Sequence, residues 1–195
     1  MKSADPWYPA VPDYVDVAFH AARAADPTKL LFYNDYGIEG AKADRVLQLV
    51  TGMQQRGVPI DGVGMQMHVS TSAPPNATAV LAFMRSVGAL GLVVHVTEMD
   101  VKCVPAPCNA PQFATQRQIY FDIATACLTA GRAICQSFEV WEFTNRYTWL
   151  WDSPHNPHHQ NWFPLPFGVH YQRMPGYYGI LDAFSNFSTP PQPLQ

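Results

Sequence analysis

The sequence predicts an α/β fold in which parallel strands alternate with helices. Three observations carry this prediction. Short apolar runs recur along the chain, and between them lie longer stretches with hydrophobic residues at helical spacing. The runs themselves are nearly continuous in apolar character, as expected of strands covered on both faces. Strands separated by helices form βαβ units with parallel pairing. No fixed-period repeat accompanies the alternation.

The first element is a helix. Residues 13–25, DYVDVAFHAARAA, place Tyr14, Val17, Ala18, Ala21 and Ala25 on one face, and Asp26-Pro27 ends it. LLFYND, 30–35, is a short apolar run and reads as a buried strand. EGAKADRVLQLVTGMQQ follows as a helix with Val46, Leu47, Val50 and Met53 at helical spacing and Gly57 as its stop. GVGMQMH, 62–68, is the second strand, and 77–90 is a helix carrying Val80, Leu81, Met84 and Val87. LVVHVTEMD, 92–100, is the third strand, 111–130 a helix, and SFEVWEF, 137–143, the fourth strand. The stretch 144–176 is rich in Pro, His and aromatic residues and reads as a long ordered loop before a short helix over about 174–185. No internal linker interrupts this pattern, so residues 1–195 are expected to form a single unit.

Composition narrows the function. At 48% hydrophobic and 14% charged, the 195 residues are those of a globular chain rather than a disordered one. A net charge of −3 argues against nucleic acid and anionic membrane as partners. Four cysteines fall into two close pairs, Cys103/Cys108 and Cys127/Cys135, although four cysteines allow three connectivities. Two sequons, Asn76-Ala77-Thr78 and Asn186-Phe187-Ser188, join them in pointing to a secreted protein whose targeting signal is not in this chain.

In a β/α architecture the working side chains project from the carboxyl ends of the strands. Those ends carry Asn34 and Asp35, then Gln66 and His68, then Glu98 and Asp100, then Trp141. A polar strand end by itself is only chain emerging into water. Four in succession, two of them with i, i+2 pairs on one side, point to a site. Glu98 oriented by a neighbouring His68 suits a nucleophile. A metal held by His68, His95 and Glu98 is the competing reading, but strand parity turns His95 away from Glu98, and no metal or other cofactor is expected. Four of the five tryptophans, Trp141, Trp149, Trp151 and Trp162, cluster at and after the fourth strand. Flat amphipathic rings beside a carboxylate suit the faces of sugars, so carbohydrate is the favoured ligand.

These motifs resemble glycoside hydrolase family 10, whose typical members are retaining endo-β-1,4-xylanases with a (β/α)8 barrel. DYVDVAFHAARAADPTKLLFYNDYGIE resembles the family's fourth helix and fifth strand, and GVPIDGVGMQMH its sixth strand with a Gln-x-His pair. VTEMD resembles the seventh strand, which carries the nucleophile, and VWEFTNRYTWL the eighth. The resemblance implies the C-terminal half of the barrel, strands five to eight. It implies Glu98 as nucleophile, Gln66 and His68 holding sugar and nucleophile, Asp100 supporting His68, and Asn34 near the cleft. Trp141 and Trp149 match substrate-stacking tryptophans, β-1,4-xylan is the implied substrate, and Cys127 and Cys135 fall where many secreted fungal members have a disulfide.

The departures are specific. Glu142 stands where the family usually has glycine, Asn145 where it has aspartate, and Met174 where it has a basic residue. The family's first four strands, including the Asn-Glu pair that supplies the general acid/base, are expected upstream of this chain. Substitutes within it are Asp35, Glu39, Glu139 and Glu142. Glu139 shares the face of Trp141 one step deeper in the strand, and Glu142 is expected to face the other way. Four parallel strands alone leave two open edges, so the chain is expected to pair with the missing half or with a second copy of itself. Two other functions fit the same residues: a non-catalytic xylan-binding module and a metal-dependent hydrolase.

Overall fold

The computed structural model describes residues 6–151 and 161–188. Part of the predicted 144–176 loop therefore lies outside the described residues. The elements run α1 (Tyr14–Ala25), β1 (Phe32–Asp35), α2 (Ala43–Gln55), β2 (Gly62–Met65), β3 (His68–Ser70), α3 (Ala77–Ala89), β4 (Val93–Lys102), α4 (Ala110–Ala130), β5 (Cys135–Val140) and α5 (Pro175–Ser188). All strand pairs are parallel: β1 beside β2, β2 and β3 in succession beside β4, and β4 beside β5. This is the alternating α/β sheet of a half barrel, as the sequence predicts.

One face of the sheet is closed by helices. Val63, Met65, Val94 and Val96 are buried, and Val46, Val50, Met53, Val80, Phe83, Met84, Val87, Ile119 and Ile123 join them in the core. Each such side chain removed from water contributes roughly 1.5–3 kcal/mol. The apolar run of β1 is only half-buried, contrary to the two-sided burial expected from it. Among the described residues β1 and β5 each pair on one side only, and the concave face between them carries Phe32, Asn34, His95 and Thr97.

Alpha-1 presents a different face from the one predicted. Val15 is buried, and Phe19 packs against the core together with Tyr14, the one residue of the predicted face that does. Val17 is 53% exposed, and Ala18, Ala21 and Ala25 are exposed as well. Two ion pairs accompany this rotation: Arg56 holds Asp16, and Arg23 holds Asp61. Alanine spacing alone does not choose between faces of a helix. The helix α4 begins with a capping box in which Asn109 and Gln112 satisfy each other's backbone N–H groups. Gly57, at φ 73°, closes α2 in the left-handed conformation that its position as a stop predicts.

Two strands end earlier than the hydrophobic pattern suggests. Met67 has φ 64° and breaks the run GVGMQMH, so β2 and β3 are separate pieces along β4. Glu142, at φ 66°, turns the chain two residues past the end of β5. The disulfides join Cys103 to Cys108 in the loop after β4, and Cys127 to Cys135 between α4 and β5.

Beyond β5, Thr144 and Asn145 clip the returning chain to the barrel rim. Thr144 Oγ1 donates to Gly168 O at 2.8 Å, and Asn145 Oδ1 accepts from Leu165 N at 2.9 Å while its Nδ2 reaches Leu165 O at 3.5 Å. An asparagine serves both groups of the Leu165 backbone, whereas an aspartate only accepts. Asn145→Ala leaves that buried N–H unpaired and is expected to cost about 1–3 kcal/mol in urea unfolding.

Candidate active site

The site is built from Asn34 near the end of β1, His68 at the start of β3, and Glu98 and Asp100 within β4, which runs two residues past the predicted strand end at Asp100. Asn34 lies opposite Gly64 in the parallel register of β1 with β2. The absence of a side chain on Gly64 is what admits it: a Cβ there would stand 2.5 Å from Asn34 Oδ1. Asn34 Nδ2 donates to Glu98 Oε1 at 2.8 Å, and its Oδ1 accepts from Thr97 Oγ1 at 2.9 Å. A carboxylate accepts only, so the amide nitrogen faces Glu98 and the amide oxygen faces Thr97.

Thr97 and Glu98 are consecutive, yet both reach the same asparagine. The register of β4 against β5 slips between Val96/Phe138 and Met99/Val140, where three steps on β4 match two on β5. Such a bulge turns successive side chains to one side. Strand parity therefore fails here as a guide to facing. His95 shares the face of Asn34 after all, its ring tilted 40° against Phe32 with centroids 4.3 Å apart. No group of three His, Cys, Asp or Glu side chains among the described residues is arranged to hold a metal ion.

The second oxygen of Glu98 meets His68 Nε2 at 3.2 Å, and His68 Nδ1 meets Asp100 Oδ2 at 2.8 Å. His68 and Asp100 are paired residues in the β3–β4 ladder, which sets this contact. The same Asp100 oxygen accepts from Trp149 Nε1 at 2.8 Å, and the indole lies 5.1 Å from the imidazole, centroid to centroid. Burial pulls the His68 pKa down, but the contacts of Asp100 and then Glu98 outweigh it and the net shift is upward. An imidazole with a carboxylate on each nitrogen satisfies both only when doubly protonated. Asp100 is 2% exposed, whereas the Glu98 side chain keeps 14% of its surface. Glu98 is thus oriented on both oxygens and still reachable.

Of the residues predicted from sequence, Asn34, His68, Glu98, Asp100 and Trp149 form one hydrogen-bonded chain. Gln66 sits in the break between β2 and β3, where its backbone N–H donates to Asp35 O. Its side chain is not part of that chain of contacts. Trp141 lies just past β5 and is 44% exposed. Thr97 and Gly64 are the participants that sequence reading missed. The alignment of FYND beside GVGM was the available signal, because it sets each glycine opposite an inward side chain.

The four spare carboxyls have other surroundings. Asp35 is held by Lys42 Nζ at 2.9 Å on both oxygens. Burial raises the Glu39 pKa, and its Oε2 is buried without a partner. Glu139 is exposed, not buried deep in the strand as expected, and accepts from Ser137 Oγ at 2.6 Å. Glu142 turns onto the following loop, where its Oε2 accepts from Trp149 N at 3.0 Å.

Known proteins share this architecture. The fold superposes on Penicillium canescens endo-1,4-beta-xylanase XylE with a TM-score of 0.86 at 32% identity, covering 95% of this chain and 57% of that one. It matches xylanase 10B from Thermotoga petrophila, solved in complex with xylobiose, with a TM-score of 0.84 at 30% identity over 95% of this chain and 56% of that one. Endo-1,4-beta-xylanase D of Talaromyces funiculosus is 37% identical over 178 residues, which are 90% of this chain and 42% of that protein. The chain thus spans less than two thirds of each of these three. The profile of Glycosyl hydrolase family 10 matches residues 2–183. By that match, and by a half-barrel fold shared with xylanases, the chain belongs to glycosyl hydrolase family 10.

Proposed function

We propose that this chain carries the nucleophile and the sugar-stacking surface of a retaining endo-β-1,4-xylanase. The observation that carries the reading is Glu98 held by Asn34 on one oxygen and by His68 on the other, with Asp100 and Trp149 behind the histidine. Xylan as substrate draws support from the xylobiose bound by the Thermotoga petrophila relative. Trp141 and Trp149 stack on the sugar, and Gln66 with His68 reads its hydroxyls.

A Glu98 oxygen attacks the anomeric carbon as the glycosidic C–O bond breaks, and the bonding electron pair leaves on the aglycone oxygen. Water then adds its hydroxyl to that carbon and gives its other proton to the group that protonated the leaving oxygen, now acting as base. The bond to Glu98 breaks in this step, and its electron pair restores the carboxylate. The proton for an unactivated leaving group comes from an acid outside this chain, on the complementary half of a barrel or on a second copy. The singly paired edges of β1 and β5 fit such a partner. Two disulfides suit the secreted setting proposed for it.

A dinitrophenyl fluoro-xylobioside tests the reading, because its leaving group needs little protonation. Incubation of the chain is expected to yield one covalent sugar on the peptide containing Glu98, found by mass spectrometry, and none in Glu98→Gln. Binding of xylo-oligosaccharide without the adduct would replace this function by that of a xylan-binding module. Neither binding nor adduct overturns both.

A further inference from the structure

Glu142 occupies a costly position in the turn after β5. Its φ of 66° lies in the left-handed region, where a side chain is disfavoured and glycine is at ease. A non-glycine residue held there is a reason to look for what its side chain does. Glu142 Oε2 accepts the backbone N–H of Trp149, seven residues further along the chain, at 3.0 Å. The indole N–H of that same tryptophan donates to Asp100. Trp149 is therefore held at both ends by carboxylates, its backbone by Glu142 and its ring by Asp100. Asp100 in turn holds His68, and His68 meets Glu98. Burial raises the Glu142 pKa, and the nearby Asp100 charge adds to it, which agrees with two carboxyl groups converging on one residue.

We propose that Glu142 is a positioning residue for Trp149: its carboxylate orders the 142–149 turn and so fixes the exposed indole beside the Asp100–His68 pair. A glycine at this position has no side chain to reach the Trp149 N–H. The left-handed backbone at 142 is then retained for the turn, and the carboxylate is the added element. The proposal deepens the xylan reading and rests on it, since the ring it positions is one of the two assigned to sugar stacking.

The test uses the whole chain with Glu142→Gly and Glu142→Gln. Glycine relieves the backbone at 142, so this variant is expected to fold, and glutamine keeps a carbonyl oxygen as acceptor. Hydrogen exchange of the Trp149 backbone and indole N–H groups, followed by nitrogen-15 NMR, reads the clamp without any sugar. Exchange about tenfold faster in Glu142→Gly and close to wild type in Glu142→Gln is expected for one lost hydrogen bond. Affinity for xylopentaose by calorimetry should fall in parallel, about tenfold in the glycine variant alone. Unchanged Trp149 exchange in Glu142→Gly overturns the proposal, as does equal acceleration in both variants. If the wild-type chain binds no xylopentaose, the xylan reading falls, and the exchange data still decide the role of Glu142.

Discussion

Asp100→Ala is expected to cost about 3 kcal/mol of stability near neutral pH, the low end for breaking a buried ion pair. Asp100 is 2% exposed, and one of its oxygens takes both the His68 Nδ1 and the Trp149 Nε1 contacts. Alanine leaves the imidazole and the indole N–H without an acceptor, and His68 loses the larger of the two charges that raise its pKa. Urea unfolding measures the loss through a shifted midpoint at constant slope. Asp100→Asn separates charge from hydrogen bonding, because an amide oxygen can still accept from both donors. In that variant burial is opposed by Glu98 alone, so the His68 titration followed by NMR should move down from its wild-type midpoint.

The pH dependence follows with a definite sign. His68 has a folded pKa above its ordinary value of 6.5, so the folded state binds its proton more tightly than the unfolded chain does. That stabilisation is fully present below about 6.5 and fades as pH rises through the higher folded value. Wild type should therefore lose stability as pH rises from about 6.5 through the raised folded value, and Asp100→Asn should lose less over the same window. Equal slopes in the two proteins would show that His68 and Asp100 are not coupled.

How much of this was legible beforehand depends on what sort of information each feature needs. Apolar runs and helical spacing suffice to place four β/α units, because burial against helices imposes a period on each segment separately. The acids at strand ends are equally local, so Glu98, Asp100, His68 and Asn34 could be singled out one by one. Their partnership needs the register between strands, and register is set by tertiary pairing rather than by any one segment. The bulge at Thr97–Glu98 shows the consequence. Counting by twos put His95 and Glu98 on opposite faces, but His95 lies in register with Gly64 and Asn34, and the residue slipped beyond Val96 brings Glu98 to that same face. Backbone conformation was equally hidden: nothing in the composition of GVGMQMH announces that Met67 takes φ 64° and divides the strand. The roll of α1 was hidden too, because it depends on tertiary partners: the core that receives Val15 and Phe19, and the Asp16–Arg56 and Arg23–Asp61 pairs with other elements.

Gly64→Ala should damage the site more than the fold, and this is the second large effect expected. A Cβ at Gly64 would lie 2.5 Å from Asn34 Oδ1 and 2.9 Å from its Cγ, closer than real contacts allow. Asn34 has little room to yield, since its amide is already held between Thr97 and Glu98. The amide moves, and Glu98 loses a donor and its orientation together. A displacement near 1 Å at a reacting group costs roughly a hundredfold in rate, which is the expected fall in labelling of Glu98 by the fluoro-xylobioside. Gly62→Ala makes the contrast. There the added carbon would stand 2.7 Å from Val93 O, a backbone atom, as well as against the Phe32 ring. Backbone cannot step aside as a side chain can, so Gly62→Ala should appear mainly as lost stability in urea. A double-mutant cycle closes the argument, because residues that act through one contact are not additive. If Gly64 acts by making room for Asn34, then adding Gly64→Ala to Asn34→Ala should cost little further labelling rate. A full hundredfold loss on top of Asn34→Ala would mean that Gly64 serves the site by some other route.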